Sequence, residues 1–343
     1  LAAGTYDLVV DGAGSFTGAY KFRLLDTTAA ATTITLDSTV VANVDPADST
    51  RFYRFDATAG QRVFFDMLGS TGSTPYWRVI GPHGEVVQDV QWGGSDRDVT
   101  TLPSSGSYLL MVEGVRNATG TASLSFNLRT VTDKTDTLTL GSTVNASIDA
   151  PGQTSRYTFT LGDRTRVFFD ALNYTPNVLW SLTGPRGAVV SSRYFTQSDA
   201  NSNQPWLDLP AGDYQLVFDG QGDTTGAFQF RLLDVAQATA ITPGTVVTGV
   251  LSPVSEMSLY TLSLKAGDRI YLDSLGIDRS LYDLSWRLLD PYGRIVANPG
   301  GFMDVDVTTA AHRDLTAIAA PPGPRRWTTG PRSTAGRRRR STV

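Results

Sequence analysis

One stretch of this chain returns at intervals of roughly a hundred residues. Leu1-Ala-Ala-Gly-Thr-Tyr-Asp-Leu-Val-Val-Asp-Gly12 reappears as Leu209-Pro-Ala-Gly-Asp-Tyr-Gln-Leu-Val-Phe-Asp-Gly220, with a looser copy at Leu102-Pro-Ser-Ser-Gly-Ser-Tyr-Leu-Leu-Met-Val-Glu-Gly114. Other landmarks keep the same beat. Val63-Phe-Phe-Asp66, Val167-Phe-Phe-Asp170 and Ile270-Tyr-Leu-Asp273 stand 104 and 103 residues apart, and Trp77, Trp180 and Trp286 stand 103 and 106 apart. Each Trp leads into a turn: Gly81-Pro-His-Gly84, Gly184-Pro-Arg-Gly187, Asp290-Pro-Tyr-Gly293. Phe22-Arg-Leu-Leu-Asp26 recurs at Phe230-Arg-Leu-Leu-Asp234. This period exceeds the roughly 20–50 residues of solenoid repeats and suits self-standing domains in tandem. Positions that recur carry the fold, and those that do not are free for function.

Within a copy, large apolar residues alternate, as at Tyr108, Leu110, Val112 and at Tyr214, Leu216, Phe218. A two-residue period buries one face of a strand and wets the other, the habit of antiparallel sheets. In the first full copy the pattern predicts strands near 40–44, 51–57, 61–68, 75–80, 85–90, 97–101, 106–113 and 120–129. About eight short strands per repeat predict an all-β fold of tandem two-sheet antiparallel β-sandwiches, jelly-roll-like or Ig-like. The repeated Trp is expected to span the space between the sheets. Thr/Ala/Asp-rich stretches join the copies, each ending on an alternation such as Ile34, Leu36 or Leu138, Leu140, where a further strand is expected.

The predicted domains are 1–28, the C-terminal part of a truncated repeat; 29–131 and 132–235, full sandwiches; 236–316, an incomplete sandwich; and 317–343, a basic tail, disordered or translated out of frame. The third copy needs a Leu-Pro-x-Gly-x-Tyr-x-Leu strand near 315–325 and shows Pro321-Pro-Gly-Pro-Arg-Arg326 instead, so its last two strands are expected to be missing. With Leu1 falling inside a repeat, the chain reads as a piece of something longer.

Composition narrows the function classes. There is no Cys, hence no disulfide framework and no thiolate metal site. The last 23 residues hold seven Arg and no acid, leaving 22 basic against 33 acidic residues in the rest. So acidic a body argues against nucleic acid and anionic membranes as partners. No apolar run nears the roughly 18 residues of a membrane helix.

An early Tyr-x-Phe strand, the Gly-x-Arg turn and strand of Ala59-Gly-Gln-Arg-Val-Phe-Phe65 and Ala266-Gly-Asp-Arg-Ile-Tyr-Leu272, Asp283-Leu-Ser-Trp-Arg-Leu-Leu-Asp-Pro-Tyr-Gly293, and the strand from Leu209 recur in fixed order. Over about residues 1–310 this set resembles the bacterial pre-peptidase C-terminal (PPC) domain family. The resemblance implies a β-sandwich of secreted bacterial proteins, appended to peptidases or strung in surface proteins, without catalysis of its own. Trp77, Trp180 and Trp286 depart from it, standing where the family commonly carries a smaller aromatic or aliphatic residue.

Catalytic machinery is poorly supplied. The two histidines are His83, in a turn whose equivalents are Arg186 and Tyr292, and His312, where the third copy decays. No Gly-x-Ser-x-Gly elbow exists, and no paired His for catalytic zinc. The chain is expected not to be an enzyme. No cofactor is certain, and calcium is the one its acids suit, since Ca²⁺ takes six to eight oxygens from carboxylates and loop carbonyls. Asp96 and Asp98, Asp199, and Asp304 and Asp306 fall in loops at like positions, and Asp66, Asp170 and Asp273 end a repeated strand as candidates to face them. The bland reading is that these acids cap turns and keep the surface soluble. Trp92 and Trp206 have no counterparts at matched positions and are candidates to stack on sugars or seed an interface; the alternative is a partly buried loop anchor. The expected role is a stalk or adhesive scaffold of a large secreted or surface bacterial protein. Its expected partners are neighbouring repeats in the same chain and cell-surface glycans or proteins. The other reading is a calcium- or carbohydrate-binding accessory module of a secreted hydrolase or peptidase.

Overall fold

The computed structural model describes residues 3–12, 14–15, 17–90, 96–197, 206–253, 255–277, 284–298, 304–308 and 314–320. The chain is almost entirely β, built of tandem two-sheet sandwiches. The described residues fall into two compact units, one within 1–60, 67–94 and 102–126, the other within 61–66, 95–101 and 127–343.

The first repeat opens on a single helical turn, α1 (Thr27–Ala30), capped by the Asp26 carboxylate, which accepts from the amides of Thr28 and Ala29. Nine strands follow: β1 (Ala31–Thr33), β2 (Thr39–Val44), β3 (Thr50–Ala57), β4 (Arg62–Thr71), β5 (Tyr76–Ile80), β6 (Val86–Val90), β7 (Arg97–Thr101), β8 (Gly106–Glu113) and β9 (Ala122–Thr130). They form sheets of order β1-β3-β8-β5-β6 and β2-β9-β4-β7. The second repeat repeats the plan with β10 (Lys134–Thr137), β11 (Val144–Ile148), β12 (Thr154–Leu161), β13 (Thr165–Ala171), β14 (Val178–Gly184), β15 (Gly187–Tyr194), β16 (Leu207–Leu209), β17 (Gly212–Gly220) and β18 (Gly226–Asp234). Its sheets run β10-β12-β17-β14-β15 and β11-β18-β13-β16. Eight of the strands in the first copy match those read from alternation. The joining stretches do hold a strand, but it lies just ahead of the alternating residues. β1 and β10 pair parallel to β3 and β12, and the amides of Ile34 and Leu138 each add one more bond to those strands.

Three recurring signals acquire reasons here. Trp77, Trp180 and Trp286 are 1%, 1% and 6% exposed, each buried in its own copy. Trp180 stacks on Phe169 with centroids 4.4 Å apart, among Phe195, Phe218, Phe228 and Phe230. Tyr108 and Tyr214 each donate the phenol hydrogen to a backbone carbonyl four residues back, of Ser104 and Pro210, at 2.7 Å, which fixes the Tyr of the repeated motif. The glycine two positions before it sits at φ +144° (Gly106) and +141° (Gly212). A Cβ there would come within 2.9 Å of Pro82 and 2.7 Å of Pro185, so the Gly-Pro turn and the motif glycine are selected together.

The third repeat comprises β19 (Thr239–Ala240), β20 (Ser258–Ser263), β21 (Arg269–Leu272), β22 (Ser285–Leu289), β23 (Ile295–Ala297), β24 (Val305–Thr308) and β25 (Asp314–Ala320). One sheet is complete in the order β19-β20-β25-β22-β23. Here the expectation of two missing strands needs correcting. β25 pairs antiparallel with both β20 and β22, as β17 pairs with β12 and β14, so it fills the first of the two positions and carries strand structure past residue 316. Among the described residues, the other sheet holds β21 and β24. Residues 321–343, where a basic tail is expected, lie outside the described residues.

Residues 3–26 form no strand among their described positions, although their sequence copies β17 and β18.

Candidate functional site

In the second unit, one carboxylate oxygen each from Asp66, Asp96 and Asp223 lies within 4.8 Å of the others. Asp66 is buried and faces Arg129, whose Nε donates to its Oδ2. Asp96 is half-buried just before β7, and Asp223 is exposed in the turn between β17 and β18. Burial raises Asp223 above the ordinary carboxylate range, and the charges of Asp96 and Asp66 add to this while Arg129 opposes it.

A second group of acids stands in the same unit. Asp219 is pushed up to about 6, first by burial and then by the charges of Asp98 and Asp133. Asp133 goes the other way: burial alone would raise it, but hydrogen bonds from Arg62, Thr154 and Arg156 bring it down to about 2. Arg156 Nε donates to Asp133 Oδ2 at 3.0 Å, and Arg62 pairs with the other oxygen. Unlike charges thus settle Asp133, whereas Asp219 and Asp223 sit among like charges.

The remaining sequence candidates are placed elsewhere. Asp98 lies exposed on β7, its Oδ1 accepting from the Val99 amide at 2.7 Å. Asp170, the counterpart of Asp66, is fully buried opposite Arg231, whose Nε donates to it at 2.9 Å. The same guanidinium reaches Glu256 at 3.1 Å and the Met257 carbonyl at 3.3 Å. Burial pushes Asp170 up to about 6 against the pull of Arg231. Asp273 is exposed. Asp304 accepts from the Ser274 amide at 2.8 Å and from the Tyr271 hydroxyl at 3.0 Å. Asp306 pairs with Arg269 across β21 and β24. Asp199 and Trp92 lie outside the described residues, as does His312. Trp206 is half-buried, edge-on to Phe168 at 5.9 Å, with the Arg166 guanidinium 5.2 Å from its ring centroid. A Cβ at Gly293 would collide with its indole, so the ring is held on both sides, the packing of a loop anchor. His83 is an exposed turn residue whose amide donates to Glu85 at 3.0 Å.

Of the sequence candidates the structure brings together Asp66 and Asp96, with Asp223 beside them. Asp223 belongs to the Asp219-Gly-Gln-Gly-Asp223 turn, and nothing in the sequence ties that turn to Asp66. Asp133 gave no signal at all.

No family model matches the chain, and no curated protein does. Among solved structures, similarity is found to PliG of Aeromonas hydrophila, a periplasmic inhibitor of g-type lysozyme, at 18% identity over 28% of this chain and 94% of that one, TM-score 0.22. The CUB1-EGF-CUB2 region of human MASP-1/3 matches at 10% identity over 57% of this chain and 99% of that one, TM-score 0.20. The lipid-containing bacteriophage PM2 structure matches at 11% identity over 83% of this chain and 86% of that one, TM-score 0.19. Similarities this weak carry no functional argument. Among the described residues, no helix is long and apolar enough to cross a membrane.

Proposed function

We propose that the chain is a non-catalytic scaffold of tandem β-sandwiches, PPC-like in plan, serving as a spacer in a secreted or surface bacterial protein. The observation that carries this reading is the contrast between what recurs and what does not. The buried Trp and the motif Tyr with its Gly-Pro turn keep their roles from copy to copy. The loop acids at like positions do not, since Asp96 lies beside Asp66 and Asp223 while Asp304 accepts from the Ser274 amide and the Tyr271 hydroxyl. Repetition has preserved packing and let surface chemistry drift. A spacer of this kind yields to tension one sandwich at a time. Pulled between end handles, the chain should release steps of about 100 residues, roughly 330–360 Å of extended chain each. A single step releasing the whole length would contradict the reading.

A second reading is favoured by the Asp66, Asp96 and Asp223 cluster, which offers hard oxygen ligands of the kind calcium prefers. Calcium held there would bind only the folded state and raise its stability by about 2.7 kcal/mol at a concentration 100 times its Kd. Melting followed during calcium titration should show a rising midpoint, abolished in Asp96→Asn and Asp223→Asn. An unmoved midpoint in millimolar calcium would rule the site out.

A further inference from the structure

The second and third repeats, which belong to one compact unit, meet through a small apolar patch. Val167 and Phe169 point into the core of the second repeat, so alternation turns Phe168 outward, yet Phe168 is 0% exposed. Met257 and Leu289 of the third repeat cover it. Trp206 lies edge-on to the same ring and reaches over Gly293, where a Cβ would come within 2.4 Å of its Nε1. Two residues further along that outward face stands Asp170, opposite Arg231 on β18.

Beside this patch Arg231 ties one repeat to the next. Its Nε and Nη2 donate to Asp170 Oδ2, its Nη1 pairs with Glu256 Oε1 at 3.1 Å, and Nη2 also reaches the Met257 carbonyl at 3.3 Å. Glu256 and Met257 precede β20, so one guanidinium serves a carboxylate from each repeat. Arg231 and Glu256 are the charged side chains that face Asp170. The guanidinium fills the position between the carboxylates that a metal ion would need, so the joint is ion-paired and is not a cation site. The count leaves one negative charge in excess, at a place where the Asp170 side chain is 0% exposed. Its Oδ1 is buried without a well-formed hydrogen bond, supported in part by the Met257 amide. A carboxylate oxygen so placed has lost its water and gained little in exchange. Protonating Asp170 removes the excess charge and leaves Arg231 to Glu256.

We propose that this joint is a proton-operated latch, which mild acid closes and neutral pH loosens. The direction follows from linkage. With the repeats docked, burial, helped by the charge of Glu256, pushes Asp170 up to about 6 against the pull of Arg231. With them parted, Asp170 regains water and keeps Arg231 beside it, so its value falls to the ordinary carboxylate figure of roughly 3.9 or below. The docked state thus binds the proton more tightly. Its contribution to docking is fully present below the lower value and is lost as pH rises through the upper one. Between pH 5 and pH 7.5, opening should become about tenfold more frequent. A spacer with such a joint is stiffer in acidified surroundings than at neutrality. The proposal rests on the tandem-sandwich reading, and the two fail separately: stepwise release under tension with a joint indifferent to pH would leave the scaffold standing.

Met257 supplies the probe, because it is 2% exposed in the joint and the chain has no cysteine. Met257→Cys retains the main-chain carbonyl that Arg231 uses, and its thiol reacts when the joint opens. The labelling rate in the full chain, divided by the rate in urea at the same pH, reports the open fraction. That fraction is expected to be about tenfold lower at pH 5 than at pH 7.5, while amides of β13 and β18 stay equally protected from exchange. Adding Asp170→Asn should make it the same at both pH values. Adding Glu256→Gln instead, at the more exposed end of the triad, should narrow the difference with the repeats still folded. An open fraction independent of pH, a joint that opens more in acid, a pH dependence that survives Asp170→Asn, or protection at β13 and β18 that falls in step with labelling would overturn the proposal.

Discussion

Replacing Trp180 with alanine is expected to destabilise the second repeat by about 3–5 kcal/mol. That is a large part of the roughly 5–15 kcal/mol that holds a typical domain folded. The indole is 1% exposed and lies flat on Phe169, with Arg193 5.2 Å from its centroid. Its truncation removes transfer free energy and leaves a cavity lined by rings, which collapse poorly because each is held by others. Phe169 stacks on Phe230 at 5.5 Å, and Phe218 lies 4.6 Å from Phe230. The same change at Trp286 should cost less. Among the described residues, Trp286 packs in a smaller cluster with Leu262, Leu264, Leu288 and Val307, in a repeat whose second sheet shows fewer strands. Hydrogen exchange read at β14 and β17 for one variant, and at β20 and β22 for the other, assigns each loss to its own repeat. A deficit below about 1 kcal/mol for Trp180→Ala would mean that the tryptophan does not anchor the core.

The ordering Trp180 over Trp286 could not have been read from the sequence, where the three tryptophans look alike. What could be read was local. Strands β3 and β8 fell within a residue of their expected bounds because alternation such as Tyr108, Leu110, Val112 maps directly onto a half-buried strand, and turn residues such as Gly60 and Gly114 stand just past their ends. β1 and β10 were displaced from the alternation that advertised them, since their position is set by parallel pairing to a strand roughly twenty residues further on. β25 was missed altogether. Asp314-Leu-Thr-Ala-Ile-Ala-Ala320 lacks the Leu-Pro-x-Gly-x-Tyr signature, yet the two neighbours β20 and β22 offer it a full ladder on both sides. Tertiary demand overrode a weak local signal. The acids follow the same rule. That Asp66 and Asp170 end equivalent strands is visible in the sequence. Which residue each faces depends on sheet order and register, which place Arg231 opposite Asp170 and bring Asp223 from a turn far along the chain to Asp66.

That pairing gives the second large effect. Arg231→Met keeps most of the side-chain volume and removes the guanidinium, leaving Asp170 buried without its cation. Breaking a buried pair from one side typically costs about 3–5 kcal/mol, because the orphaned charge keeps its desolvation penalty. Glu256 loses the same partner but retains some contact with water, so Asp170 dominates the loss. The effect should depend on pH in a definite direction. Even with Arg231 in place, burial sets Asp170 at about 6, above its unfolded range. A carboxyl raised in the folded state binds its proton more tightly there than in the unfolded chain. Its contribution is therefore fully present below the unfolded pKa of about 3.9 and is lost as pH rises through the folded value. Removing the guanidinium raises the folded value further, so the deficit of Arg231→Met should be greatest near neutrality and shrink as the pH is lowered to about 5. Adding Asp170→Asn to the variant deletes the charge, and the double variant should regain much of the lost stability and lose the pH dependence. Urea unfolding of the three variants at the two pH values, with hydrogen exchange at β13 and β18 to locate the change, decides it. Were Arg231→Met as stable as the parent, or its deficit larger in acid, the buried pair would not be what joins β13 to β18.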